Sequence, residues 1–129
     1  HANVTSPDEM PDSKFPMILT TGRQLEHWHT GAMTRKASNL DAIEPEATVS
    51  LSPNDIFSNK IQPGELIRVS TKRGTIEIRV RQDRSIPDGV IFIPFCYKEA
   101  AANLLTNPAL DPIGKIPEFK YCAANIETL

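Results

Sequence analysis

The chain has 129 residues, 40% of them apolar and 23% charged, with a formal net charge of −2 and a sequence pI near 5.9. That length suits one domain, the composition excludes a disordered or collagen-like chain, and the near-neutral balance argues against a dedicated nucleic-acid binder. No apolar run approaches the ~18–20 residues that span a bilayer and no secretory leader is evident, so the reading is a soluble chain without membrane insertion.

Residues 1–15 are polar and proline-punctuated, with too few apolar side chains to offset their ordering entropy, and read as a flexible arm or interdomain linker. Residues 16–129 form the domain. A first buried strand is expected over residues 15–19, with a loop from Thr20-Thr21-Gly22 onward. Residues 23–31 match neither a strand nor a long helix, and a short strand is possible at 40–43. Alternation over 47–51 predicts a strand. Ser52-Pro53 then starts a helix reaching about Asn59, serine capping the free amides and proline sitting where its missing N–H costs nothing. Gln62-Pro63-Gly64 is a turn. Residues 65–71 and 75–80 make a hairpin through Lys72-Arg73-Gly74, and after the Pro87-Asp88-Gly89 turn residues 90–95 form a fully buried strand. A helix is expected over 98–105, stopped before Pro108, then a loop over 112–117 and a last strand over 119–126. With 11 prolines and only 6% aromatics, many short elements must enclose a core of Ile, Val and Leu. The expected fold is mainly β and barrel-like, with short helices.

Chemistry concentrates in residues 20–31. Arg23 offers a planar fork of donors suited to phosphate or a heterocycle edge. Thr20, Thr21, Gln24 and Thr30 add hydrogen-bonding groups, His27 and His29 can donate to anionic atoms, and Trp28 can cover a flat ring. Gly22 and Gly31 let the backbone approach a ligand closely. The set suits a large, polar, anionic ligand; the alternative is a solvated loop anchored by a buried tryptophan. Cys96 and Cys122 are too sparse for a disulfide scaffold, which makes a reducing cytoplasm the expected compartment, and too far apart for a zinc site. No nucleophile elbow, dinucleotide fingerprint or phosphate-binding P-loop is present. The basic residues Lys72, Arg73, Arg79, Arg81 and Arg84 lack interleaved aromatics, so a solvated hairpin face is expected. The chain begins at His1 and reads as a piece of a longer polypeptide.

The stretch MILTTGRQLEHWHTGAMTR, the block ANLLTNPALDP and the terminal PEFKYCA together resemble the C-terminal domain of molybdenum- or tungsten-dependent formate dehydrogenase catalytic subunits, over about residues 15–127. The resemblance implies a double-psi β-barrel that caps bis(molybdopterin guanine dinucleotide), the cofactor of the dimethyl sulfoxide reductase superfamily. It places Thr21, Gly22 and Arg23 at the turn that holds the cofactor and His29 and Thr30 in the next cofactor-facing segment. It also puts Asn103 on a pterin edge, and Lys120 and Tyr121 near the other pterin. Gln24, His27 and Cys96 are neighbours with no assigned contact. The family's metal-ligating cysteine or selenocysteine and its iron–sulfur cysteines have no counterpart here. The chain is therefore expected to bind one side of the cofactor, to hold neither catalytic nor metal-ligating residues, and to be inactive alone. Its expected partners are the remaining domains of the catalytic subunit and electron-transfer subunits. A formylmethanofuran dehydrogenase, a nitrate reductase or a stand-alone interaction module are the competing assignments.

Overall fold

In the computed structural model, which describes residue 1 and residues 3–129, six strands close into a barrel. They are β1 (Met17–Gly22), β2 (Thr48–Leu51), β3 (Leu66–Ser70), β4 (Thr75–Gln82), β5 (Val90–Pro94) and β6 (Cys122–Thr128), joined in the order β1-β5-β2-β4-β3-β6 and back to β1. The pairs β1–β5 and β2–β4 are parallel and the others antiparallel. Closure gives each strand two neighbours and leaves no free edge. This is the closed, mainly β barrel with few short helices that the sequence predicts.

Period-two alternation drives the closure. Along β4, Ile76, Ile78 and Val80 point inward while Glu77 and Arg79 face solvent. Leu19, Val49, Leu51, Ile67, Val69, Ile91 and Ile93 complete an aliphatic interior. The basic hairpin face is paired, not bare: Arg68 meets Glu77, Arg79 meets Glu46 and Arg81 meets Glu44.

The helix predicted from Ser52 is α2 (Pro53–Ser58). The Ser52 hydroxyl accepts the Asp55 N–H at 3.0 Å and donates to the Asp55 carboxylate, which also accepts the Gly89 N–H at 2.9 Å. One serine thus ties the helix start to the turn before β5. Ser52→Ala is expected to lower stability by about 1–2 kcal/mol, read as a fall in unfolding midpoint at unchanged denaturant slope.

Four local expectations differ from the structure. β1 does not stop at residue 19 but runs to Gly22, because β5 pairs with it as far as Gly22–Pro94. Residues 40–43 belong to α1 (Ser38–Ile43), not a strand, since every barrel strand already has both partners. The helix expected over 98–105 is two 3-10 turns, Lys98–Ala100 and Ala102–Leu104, separated by an extended Ala101 (φ −66, ψ 101). Ala100 and Ala102 are both buried, whereas a continuous helix would set residues two apart about 200° around its axis. β6 begins three residues later than expected, because Glu118 N–H first bonds the Ala109 carbonyl and holds residues 117–121 across the barrel end.

The described residues before β1 carry no helix or strand, yet they are fastened. Glu9 is only 8% exposed, and its carboxylate accepts both Arg73 Nη1 at 2.6 Å and Nη2 at 2.9 Å, plus the Ala123 N–H at 2.8 Å. Phe15 is also buried. Ion pairs of Glu9 and Asp12 with Arg73 and Lys72, the Asp8 N–H bond to the Glu118 carboxylate and the buried Phe15 ring together anchor residues whose composition predicts mobility.

Candidate functional site

Parallel pairing of β1 with β5 brings the C-terminal ends of both strands to the same barrel mouth. The Phe95 N–H bonds the Gly22 carbonyl at 3.1 Å, which carries the ladder one residue further. Gly22 is required by close packing: a Cβ there would lie 2.4 Å from the Phe92 ring. From this mouth depart residues 23–31, which hold a short Gln24–His27 bridge, and the segment leading into the two 3-10 turns. Residues 117–120 cross from the far side. Thr21 donates its hydroxyl hydrogen to the Phe119 carbonyl at 2.9 Å, and Lys120 Nζ donates to the Thr21 carbonyl.

These segments enclose an open cleft of about 890 Å³. Of the residues singled out from sequence, Thr21, Arg23, His29, Asn103 and Lys120 line it. Gly22 lies at the strand end next to them. Thr30 lines a smaller adjoining pocket that shares Phe95 and Asn103 with the cleft, while Tyr121 stands outside the lining with its hydroxyl 3.9 Å from Met10 Sδ. Phe95, Thr106, Pro117 and Phe119 also line the cleft and were not singled out. The pairing of β1 with β5 is the signal that would have found Phe95, which directly follows β5.

The lining carries one sign of charge. Arg23, Lys120 and the ionisable His29 meet no carboxylate among the described lining residues, although the chain as a whole is acidic. The Arg23 guanidinium and the side chains of His29 and Asn103 have no hydrogen-bond or ion-pair partner among the described residues; the His29 and Trp28 rings meet nearly perpendicular with centroids 4.4 Å apart. By contrast, Arg35 beside the neighbouring pocket is neutralised by Asp41 and Glu99. Unopposed cations in a cleft raise the local positive potential and attract an anion. Phe95 and Phe119 hold their rings 6.0 and 5.8 Å from Lys120 Nζ, adding flat apolar surface.

His27 faces away from the cleft, and the alternative of a loop anchored by a buried tryptophan does not hold. Trp28 is 60% exposed, so it is not the anchor of its loop. His27 is the buried one, its Nε2 at 2.8 Å from the Glu44 carbonyl and its Nδ1 at 3.3 Å from the Thr34 hydroxyl. Both cysteines are free and buried, and burial pushes both thiols up. Cys122 Sγ accepts the Asn107 N–H at 3.1 Å, a packing role. Among the described residues no three of His, Cys, Asp and Glu converge as metal ligands, and no helix is long and apolar enough to cross a membrane.

The barrel superposes on acetylene hydratase from Pelobacter acetylenicus with a TM-score of 0.80, covering 90% of this chain and 19% of that one. At 21% identity this likeness concerns the fold. The alpha subunit of F420-dependent formate dehydrogenase 1 from Methanococcus maripaludis is 46% identical over 98% of the chain, and that of F420-dependent formate dehydrogenase from Methanocaldococcus jannaschii is 46% identical over 94%. The chain spans only 19% and 18% of the length of these two relatives. Residues 17–123, which include every residue lining the cleft, match the molydopterin dinucleotide binding domain, and the chain belongs to that family.

Proposed function

We propose that this chain is the cofactor-capping part of a formate dehydrogenase catalytic subunit, and that its cleft grips one arm of bis(molybdopterin guanine dinucleotide) carrying molybdenum or tungsten. The observation that carries the reading is the set Arg23, His29 and Asn103: polar side chains that, among the described residues, have no protein partner and share a cleft with no lining carboxylate. The fit is chemical. A dinucleotide has a charged pyrophosphate for Arg23 and His29 and a heterocycle with donor and acceptor edges for Asn103, and the Phe95 and Phe119 faces suit a flat ring. Lys120 adds positive charge, Thr21 and Gly22 shape the turn, Thr30 extends the site into the adjoining pocket, and Tyr121 borders it from outside.

When bound, the cofactor supplies the metal centre at which formate is oxidised to carbon dioxide. This chain supplies charge complementarity, orientation and exclusion of water, and contributes no catalytic residue. Residues 16–129 are the binding barrel and residues 1–15 lead into it. The partners are the remaining domains of the catalytic subunit and electron-transfer subunits, in the cytoplasm.

Guanosine diphosphate, which carries a pyrophosphate and a guanine, is the accessible probe. It is expected to bind the chain weakly, because the other wall of the cavity is lacking. Arg23→Ala is expected to weaken that binding about tenfold, since charge-assisted hydrogen bonds contribute roughly 1.5 kcal/mol or more. Titration calorimetry at low salt checks this. Equal affinities for the two proteins overturn the assignment of Arg23 and with it the reading of the cleft.

A further inference from the structure

Residues 23–31 carry Arg23 and His29, two of the polar side chains of the cleft, on a segment without helix or extended sheet. Such a loop presents charge at a defined place only if something buried holds it. His27 is its buried side chain, 2% exposed, and its hydrogen bonds form a closed account. The Thr34 hydroxyl already accepts the Trp28 N–H at 3.0 Å, so its own hydrogen is free for His27 Nδ1. Nε2 then carries the ring hydrogen and donates to the Glu44 carbonyl at 2.8 Å. The same carbonyl accepts the Tyr97 hydroxyl at 3.0 Å, and Tyr97 meets the imidazole edge-on at 5.6 Å. The Glu44 carboxylate in turn accepts Arg81 Nη2 at 2.6 Å. A continuous chain therefore runs from β4 through Arg81, Glu44 and His27 into the loop, with Arg23 and His29 on either side of the point of attachment.

We propose that His27 is the positioning residue of the cleft: it touches no ligand, and by pinning the loop to Glu44 and Thr34 it sets where Arg23 and His29 stand. The idea rests on the phosphate-binding reading of the cleft only for its effect on affinity. Its effect on the loop stands apart from that reading, and the chain supplies a reporter, because Trp28 is its only tryptophan and sits between the two histidines. The Trp28 backbone N–H bonds the Thr34 hydroxyl, so the mobility of the chain that carries the indole reports on the loop.

The test uses the 129-residue chain, guanosine diphosphate as probe and Trp28 emission anisotropy as a second measurement. His27→Leu removes both ring hydrogen bonds at similar volume, while His27→Gln keeps a donor for the Glu44 carbonyl. Well below its melting temperature, His27→Leu is expected to weaken binding about tenfold and to lower the Trp28 anisotropy, with His27→Gln recovering most of both. If His27 acts through Arg23, then adding His27→Leu to Arg23→Ala changes affinity by no more than roughly twofold. Full additivity, unchanged affinity in folded His27→Leu, or no recovery by His27→Gln overturns the proposal. Should the wild-type chain fail to bind guanosine diphosphate, the reading of the cleft falls. The anisotropy then decides the positioning role alone: a drop in His27→Leu with recovery in His27→Gln supports it, and no drop overturns it. If His27→Leu does not fold, His27→Met takes its place, since it too removes the donor to the Glu44 carbonyl and leaves the Trp28 N–H bond to Thr34 in place. A loss of affinity and anisotropy in folded His27→Met then supports the positioning role, and no loss of either overturns it.

Discussion

Glu9→Ala is expected to destabilise the chain by about 2–4 kcal/mol, lowering the melting temperature by roughly 8–15 °C. Three donors lose their acceptor at once: both terminal nitrogens of Arg73 and the Ala123 N–H on β6. The guanidinium, one-fifth exposed, keeps only the Leu105 carbonyl at 3.0 Å, and a buried amide is left unsatisfied. The magnitude lies below that of a fully enclosed pair because solvent reaches Arg73 and recovers part of the loss. The same carboxylate gives the effect a pH signature. Its hydrogen bonds to Arg73, with the Ala123 amide and the nearby charges of Arg73 and Lys72, hold the Glu9 carboxyl below the usual glutamate range despite its burial. A carboxyl whose folded pKa is depressed contributes stability that is complete above its unfolded value of about 4.3 and lost as pH falls through the folded value. The gap in melting temperature between wild type and Glu9→Ala is therefore expected to be full at neutral pH and to close on acidification below that point. A gap independent of pH removes the ion pair as its origin.

Gly31→Ala is expected to be nearly as damaging, at about 2–4 kcal/mol, for two reasons that can be separated. Gly31 has φ +75, a conformation that side chains rarely adopt. A Cβ there would also lie 2.8 Å from the Cys96 carbonyl and 2.6 Å from Arg35 Cγ. Arg35 can shift its stem, but the carbonyl belongs to the backbone just after β5 and cannot yield without moving the Phe95 wall. Gly64 is the control, since its φ of +87 imposes the same conformational strain while nothing lies within 4 Å of the added carbon. Gly64→Ala is expected to lose only about 1 kcal/mol and to leave nucleotide binding unchanged. Gly31→Ala is expected to lose both stability and binding, because the loop it closes presents Arg23 and His29. Denaturant melts and calorimetry on the two variants check the difference, and equal losses would assign the whole effect to strain.

The hairpin of β3 and β4 was legible because apolar and charged residues alternate on both sides of a glycine turn, and α2 because Ser52 and Pro53 mark its start chemically. Residues 40–43 and 98–105 misled for a shared reason: composition does not say whether a partner strand is free or whether Ala100 and Ala102 must both face the core. The site was half legible. Arg23, His29 and Asn103 belong to recognisable blocks of sequence, and their side chains are conspicuous chemistry. Phe119 and Thr106 enter the cleft only through closure; Phe119 meets Thr21 across 98 residues of chain, and no local pattern encodes that meeting. The anchoring of the leading segment was hidden too, because it rests on scattered polar contacts of Asp8, Glu9 and Asp12 and one buried ring, Phe15, with no hydrophobic stripe.

The stitching of Thr21 to Phe119 and Lys120 has a consequence for biosynthesis. One wall of the cleft leaves the ribosome near the beginning of the domain and the other near its end, so the cleft is incomplete until residues 117–120 have been made. Until β6 arrives, β1 and β3 each present an unpaired edge, the surface most prone to join a neighbouring chain. The interval between synthesis of β1 and closure by β6 is thus the period of greatest aggregation hazard, and the cleft takes its shape only after it.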